Sequence, residues 1–160
     1  MLPPRILYTD FGSDCNRYKA QLLAVFRRDF MEPPYAEFRG LPIFFDPRPD
    51  YYGLPKRLWH CLSEGEDRYT REEDRVVQFD RCERLSWARP LIELAESGSV
   101  PNWTMRDGRR TDGYIATDDF AYVVVLKRTE RDQCWYLATT YCPNRRRRER
   151  LRRDWEASRI

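Results

Sequence analysis

The chain has 160 residues, 41% of them hydrophobic and 14% aromatic, which is enough for one domain with a core of its own. Charged residues make up 34%, yet the net charge is only +3, the balance of a well-solvated globule and not of a disordered polyelectrolyte. No apolar run approaches the ~20 residues that span a bilayer, and the N-terminus carries no signal-peptide pattern, so a cytoplasmic protein without membrane contact is expected.

In chain order, residues 1–13 read as an extended lead-in that turns at Asp10-Phe11-Gly12-Ser13. Ser13 or Asp14 can cap a helix over 13–31, whose apolar positions Tyr18, Leu22, Val25, Phe26 and Phe30 keep helical spacing and which Pro33-Pro34 ends. Residues 40–46 read as a short strand. Pro47, Pro49, Gly53 and Pro55 make a rigid loop displaying Tyr51 and Tyr52. Residues 56–63 are read as a strand and 64–80 as a loop. A second helix over 80–98 has Leu85, Ala88, Ile92 and Ala95 as its buried stripe, with a kink or a fresh turn at Pro90 and a stop at Gly98. After a loop around Arg106-Asp107-Gly108, antiparallel strands occupy 114–142, and Tyr122–Leu126 is apolar enough to be central. Asn144 caps a last helix over 144–157, anchored by Leu151 and Trp155. The expected fold is therefore a single α+β domain over 1–160, with N-terminal helices packed on a C-terminal antiparallel sheet and an Arg-rich helix at the end.

Charge is unevenly placed. Residues 144–160 hold eight arginines against three acids, so the remaining chain is slightly negative and a polyanion would be drawn to the C-terminal end. Arg145, Arg146, Arg147 and Arg148 are candidate phosphate-binding residues; a solvated face or an acidic protein partner is the alternative. Thr139, Thr140 and Tyr141 close the last strand, where alternation sets Thr140 opposite to its neighbours, so one side can meet a ligand while the other packs. Strand propensity alone also accounts for these residue types.

His60, the single histidine, is the natural proton carrier near neutral pH, with Glu64 or Tyr141 as its partner. A core histidine satisfied by one hydrogen bond is the other reading. Arg84 could stabilise charge building on a phosphate and Arg81 could bind RNA, or both could form solvated ion pairs. Five cysteines, odd in number and without a Cys-x-x-Cys pair, point to reduced thiols, and neither a metal nor a cofactor is expected. No carboxylate cluster, glycine-rich loop or Gly-x-Ser-x-Gly elbow is present.

The succession of Leu58-Trp59-His60-Cys61-Leu62-Ser63, Arg81 to Ile92, Tyr122–Leu126, Tyr136–Tyr141 and Arg148 to Trp155 resembles the phage-associated branch of the barnase, EndoU, colicin and RelE-like (BECR) ribonucleases, over about residues 40–155. The resemblance implies a toxin or prophage effector cutting RNA, tRNA or mRNA, without a metal, by attack of the 2′-hydroxyl on the adjacent phosphate. It matches His60 to the family's histidine, Arg84 to a basic residue, and Thr140 with Tyr141 to the hydroxyl-bearing end of the last strand. An acidic antitoxin or immunity protein would be the partner. Two alternatives stand beside it: a non-catalytic RNA- or DNA-binding phage adaptor, and an interaction module docking an acidic partner through its arginine helix.

Overall fold

The computed structural model describes residues 1–48, 50–51 and 53–160. Pro49 and Tyr52 of the proline-rich loop lie outside the described residues. Helix α1 spans Cys15–Phe26 and continues as a π-turn over Arg27–Met31. Its cap is Asp14, whose carboxylate accepts the Asn16 and Arg17 amides at 2.9 and 3.2 Å. Strands β1 (Glu37–Phe38) and β2 (Leu41–Phe44) form a hairpin, followed by the ribbon of β3 (Asp50–Tyr51) and β4 (Leu54–Pro55).

Residues 56–62 are helical, not extended: α2 spans Lys56–Leu62. Leu58, Cys61 and Leu62 are its buried residues, at i, i+3 and i+4, and Pro55 sits just before the first turn, where its missing N–H costs nothing. A second ribbon, β5 (Ser63–Glu64) with β6 (Val76–Val77), flanks a polar excursion that the sequence suggested was all loop.

The expected 80–98 helix is in fact two. Helix α3 covers Phe79–Glu83, and α4 covers Ala88–Glu96, with a 3-10 turn over Leu85–Trp87 between them. Arg84 leaves helical geometry at φ −105°, ψ 7°, and Pro90 falls in the first turn of α4, where the backbone donor it lacks would have no partner anyway.

Strand β7 (Asn102–Asp107), which reaches into the loop expected around Arg106-Asp107-Gly108, pairs with β8 (Arg110–Ala116) through a turn at Gly108, φ 61°. Its one buried side chain, Trp103, gave too little alternation to read. Strands β9 (Val123–Thr129) and β10 (Trp135–Tyr141) and the capped helix α5 (Arg145–Ser158) complete the fold.

The six-stranded sheet runs β1-β2-β10-β9-β8-β7, antiparallel except where β10 lies parallel to β2. The apolar run of β9 is fully buried between β10 and β8, as a central strand requires. On one face Val124, Leu126 and Leu137 pack with α1, α2 and α4. On the other, Trp103, Val123, Val125 and Tyr141 pack with Leu151 of α5. The mixed α+β arrangement, with a C-terminal arginine helix on the sheet, is the one expected. Among the described residues, no helix is long and apolar enough to cross a membrane.

Two local features position the site. Only Trp135 and Tyr136 of β10 pair with β2, so the rest of that strand edge is open. Helix α2 covers it: Arg57 Nη1 donates to the Ala138 carbonyl at 2.7 Å, and the Thr139 and Thr140 hydroxyls donate to the carbonyls of His60 and Cys61 at 3.2 and 3.3 Å. The second feature is a bulge at Ala138, where the register against β9 slips by one residue. Beyond it, Thr139 and Tyr141 come to the outer face, while Thr140 joins Leu137 on the inner one.

Candidate functional site: a cationic cleft around His60

A cleft of about 430 Å³ opens where α2, the β5–β6 ribbon, the outer face of β8–β10 and the first turn of α5 meet. Its floor is Val125, Ala138, Thr139, Tyr114 and Tyr141, and its walls are mostly cations: Arg57, Arg75, Arg81, Lys127 and Arg147.

Each arginine is held. Arg81, with a side chain only 9% exposed, donates from Nη1 to the Ser63 carbonyl at 2.7 Å. Arg75 donates to the same carbonyl at 2.8 Å and to the Ser63 hydroxyl at 2.9 Å. The guanidinium of Arg147 lies 5.0 Å from the centre of the Tyr141 ring and donates to its hydroxyl at 3.3 Å. The two carboxylates of the cleft are already engaged, Glu64 by Arg81 at 3.4 Å and Asp112 by Arg110 at 3.1 Å. Arg57, Arg75, Lys127 and Arg147 therefore face the cleft with no ion-pair partner among the described residues. Burial is the main cause that draws the Arg75 guanidinium below its ordinary pKa; Glu72 opposes this and the neighbouring Arg81 and Arg57 add to it. Like charges gathered this closely are relieved by an anion.

His60 enters from the last turn of α2. Its Nε2 lies 2.9 and 3.0 Å from the two carboxylate oxygens of Glu72. Glu72 is itself fixed, its carbonyl accepting Trp59 Nε1 at 3.2 Å and its carboxylate standing 3.7 Å from Lys56 Nζ. A carboxylate only accepts, so the neutral ring carries its hydrogen on Nε2 and leaves Nδ1 as a free base. Burial lowers the His60 pKa below 6.5; Glu72 acts against this, and Arg75 and Arg57 reinforce it. The imidazole is thus neutral at pH 7, oriented by a carboxylate, and able to accept a proton beside a group of cations.

Of the residues singled out in the sequence, His60, Glu64, Arg81, Thr139, Tyr141 and Arg147 come together here. Thr140 does not: it is 1% exposed and hydrogen-bonded to α2, on the inner face of β10. Arg84 does not either. Its guanidinium lies over Trp87 at 5.3 Å and donates to the Asp80 carbonyl at 3.0 Å, at the break between α3 and α4. On α5, Arg145 pairs with Glu149 at 3.6 Å, Arg148 donates to the Pro143 carbonyl at 3.1 Å, and Arg146 lines a neighbouring hollow. Sequence reasoning missed Arg57, Glu72, Arg75, Lys127, Asp112 and Tyr114. A helical reading of 56–62 would have found Arg57, three residues before His60 and so on the same face.

No group of three or more histidine, cysteine, aspartate or glutamate side chains among the described residues could hold a metal ion. The donor set of this cleft suits an anion. The chain matches no protein-family model, no curated protein and no solved structure.

Proposed function

We propose that the chain is an endoribonuclease that cuts a phosphodiester by attack of the neighbouring 2′-hydroxyl, with the cleft as its active site. The observation that carries this reading is the placement of His60, neutral and oriented by Glu72, within a wall of five cations, four of which lack a carboxylate partner among the described residues. The Nδ1 atom of His60 takes the proton of the 2′-hydroxyl as its oxygen bonds to phosphorus. Arg57, Arg75 and Arg81 stabilise the charge that accumulates on the phosphoryl oxygens. The Tyr141 hydroxyl, polarised by the Arg147 donor, gives its proton to the departing 5′-oxygen. The products are a 2′,3′-cyclic phosphate and a 5′-hydroxyl. Tyr114, which lines the floor of the cleft, can contact a base there. The resemblance to the BECR ribonucleases supports the same chemistry and a toxin role with an acidic neutralising partner.

The test is incubation of purified protein with a 5′-labelled RNA in EDTA, beside the same strand with 2′-O-methyl groups throughout. Cleavage of the first alone, leaving cyclic phosphate ends, is expected. Tight, salt-dependent binding with the RNA left intact would sink the catalytic reading and favour an RNA-binding adaptor.

A further inference from the structure

The arginines of α5 are not equivalent. Arg145 is paired with Glu149, Arg148 is tied to the Pro143 carbonyl, and Arg152 and Arg159 lie over the rings of Phe120 and Trp155 at 5.2 and 4.7 Å. Arg146, Arg150 and Arg153 are exposed and have no partner among the described residues. These three, with Arg147, line a hollow of about 330 Å³ along one side of the helix. Arg147 lines the cleft around His60 as well, so the hollow and the cleft adjoin at one side chain.

We infer that this stripe is a second binding site, a phosphate track that receives an RNA strand as it leaves the cleft, so that the ligand is an oligonucleotide longer than the two residues flanking the cut. The inference rests on the ribonuclease reading for the strand's position in the cleft, but not for its chemistry. Arg146, Arg150 and Arg153 rise about 6 and then 4.5 Å along the axis, a ladder that can meet successive backbone charges. The hollow's lining is Asn144 and arginines, without an apolar side chain. A protein partner would need an apolar anchor at the centre of its footprint and few charges there, so phosphate fits this surface better than an acidic protein does.

The experiment measures binding of a 12-residue 2′-O-methyl RNA, which cannot be cut by its own 2′-oxygen, by fluorescence anisotropy at several salt concentrations. The probe proteins are wild type, Arg150→Ala with Arg153→Ala, and a control pair of exposed arginines, Arg17→Ala on α1 with Arg27→Ala at the start of the π-turn that follows it. Removing two phosphate contacts lowers the slope of log K against log salt by about 1.4, at about 0.7 per contact on a single strand. The control pair, equal in charge, keeps the wild-type slope. An unchanged slope in the α5 variant, or an equal loss in the control, overturns the track. So does unaltered RNA binding alongside lost affinity for an oligoglutamate peptide, which would mark a protein-docking face. Because the probe is never cleaved, a failure of the catalytic proposal leaves this measurement intact.

Discussion

Replacing His60 by glutamine separates the chemistry of the cleft from its architecture. The glutamine amide can still donate to the Glu72 carboxylate, now held by Nε2 at 2.9 Å, so the partly buried anion keeps a partner. The His60 side chain is 24% exposed, and little apolar area is lost. The folding cost should therefore stay under about 1 kcal/mol, because the hydrogen bond to a charged group, worth about 1.5–3 kcal/mol, is retained. Cleavage loses the proton acceptor and should fall by about 10²–10⁴-fold, or about 3–5 kcal/mol of barrier. Alanine would confuse the two effects by removing the shortest bond to the Glu72 carboxylate, with Lys56 Nζ standing off at 3.7 Å. Single-turnover cleavage in EDTA beside a thermal melt reads both quantities. A glutamine variant that melts like wild type and cuts within tenfold of it would place the base elsewhere and refute the role given to His60.

The remaining predictions concern its neighbours and supports. Because His60 is the only histidine, its ring protons titrate as one resolved NMR signal: the midpoint should lie below 6.5, fall further in Glu72→Gln and rise in Arg75→Gln, and a wild-type midpoint above 6.5 would contradict the burial argument. The lowered pKa also sets a sign for stability. Between the folded value and 6.5 the unfolded chain binds more proton, so stability is full above 6.5 and lost as pH falls through the folded pKa, and His60→Gln should flatten that part of a denaturation-versus-pH curve. Thr140→Val removes the buried donor to the Cys61 carbonyl, costing about 1–3 kcal/mol; each kcal/mol lowers Tm by roughly 2–4 °C in a chain of this size, and an unchanged melt would deny that this bond pins α2 to β10. Arg57→Ala should cut turnover by about 10²-fold or more through lost charge stabilisation, whereas Arg84→Ala should leave it near wild type; the reverse order would move the site to the α3–α4 break.

What could be read in the sequence was what local physics decides. The 3.6-residue spacing of Tyr18, Leu22, Val25 and Phe26 dictates α1, the unbroken run Tyr122–Leu126 dictates a central strand, and Asn144 accepts the Arg147 amide at 2.9 Å, as a cap should. What could not be read was decided at a distance. Residues 56–62 are too short for a periodicity to be trusted, and their helix is stabilised by bonds to β10 some eighty residues away. Strand β7 has one buried residue and owes its existence to β8. Arg84 sits within an arginine-rich segment whose continuity as a helix was an assumption; once Arg84 leaves helical geometry, its side chain belongs to Trp87.

The bulge at Ala138 is the reason a cationic cleft forms here at all. Regular alternation from Leu137 would have put Thr139 in the core and Thr140 in the cleft. The extra residue at Ala138 reverses the two, and it does so where β2 has stopped pairing and the edge carbonyl of Ala138 is free to hold Arg57. One irregularity in one strand thus turns a threonine and a tyrosine outward, draws α2 and its histidine against the edge, and brings Arg57 to the wall. The cations of the β5–β6 ribbon then complete the enclosure through the Ser63 carbonyl, which Arg75 and Arg81 both bond. Ser63 follows α2 directly, so a movement of α2 off the β10 edge would displace His60 and three of the five cations together. The base and the charges that would stabilise its reaction are therefore a single mechanical unit, and loosening the α2–β10 contact should disable both at once.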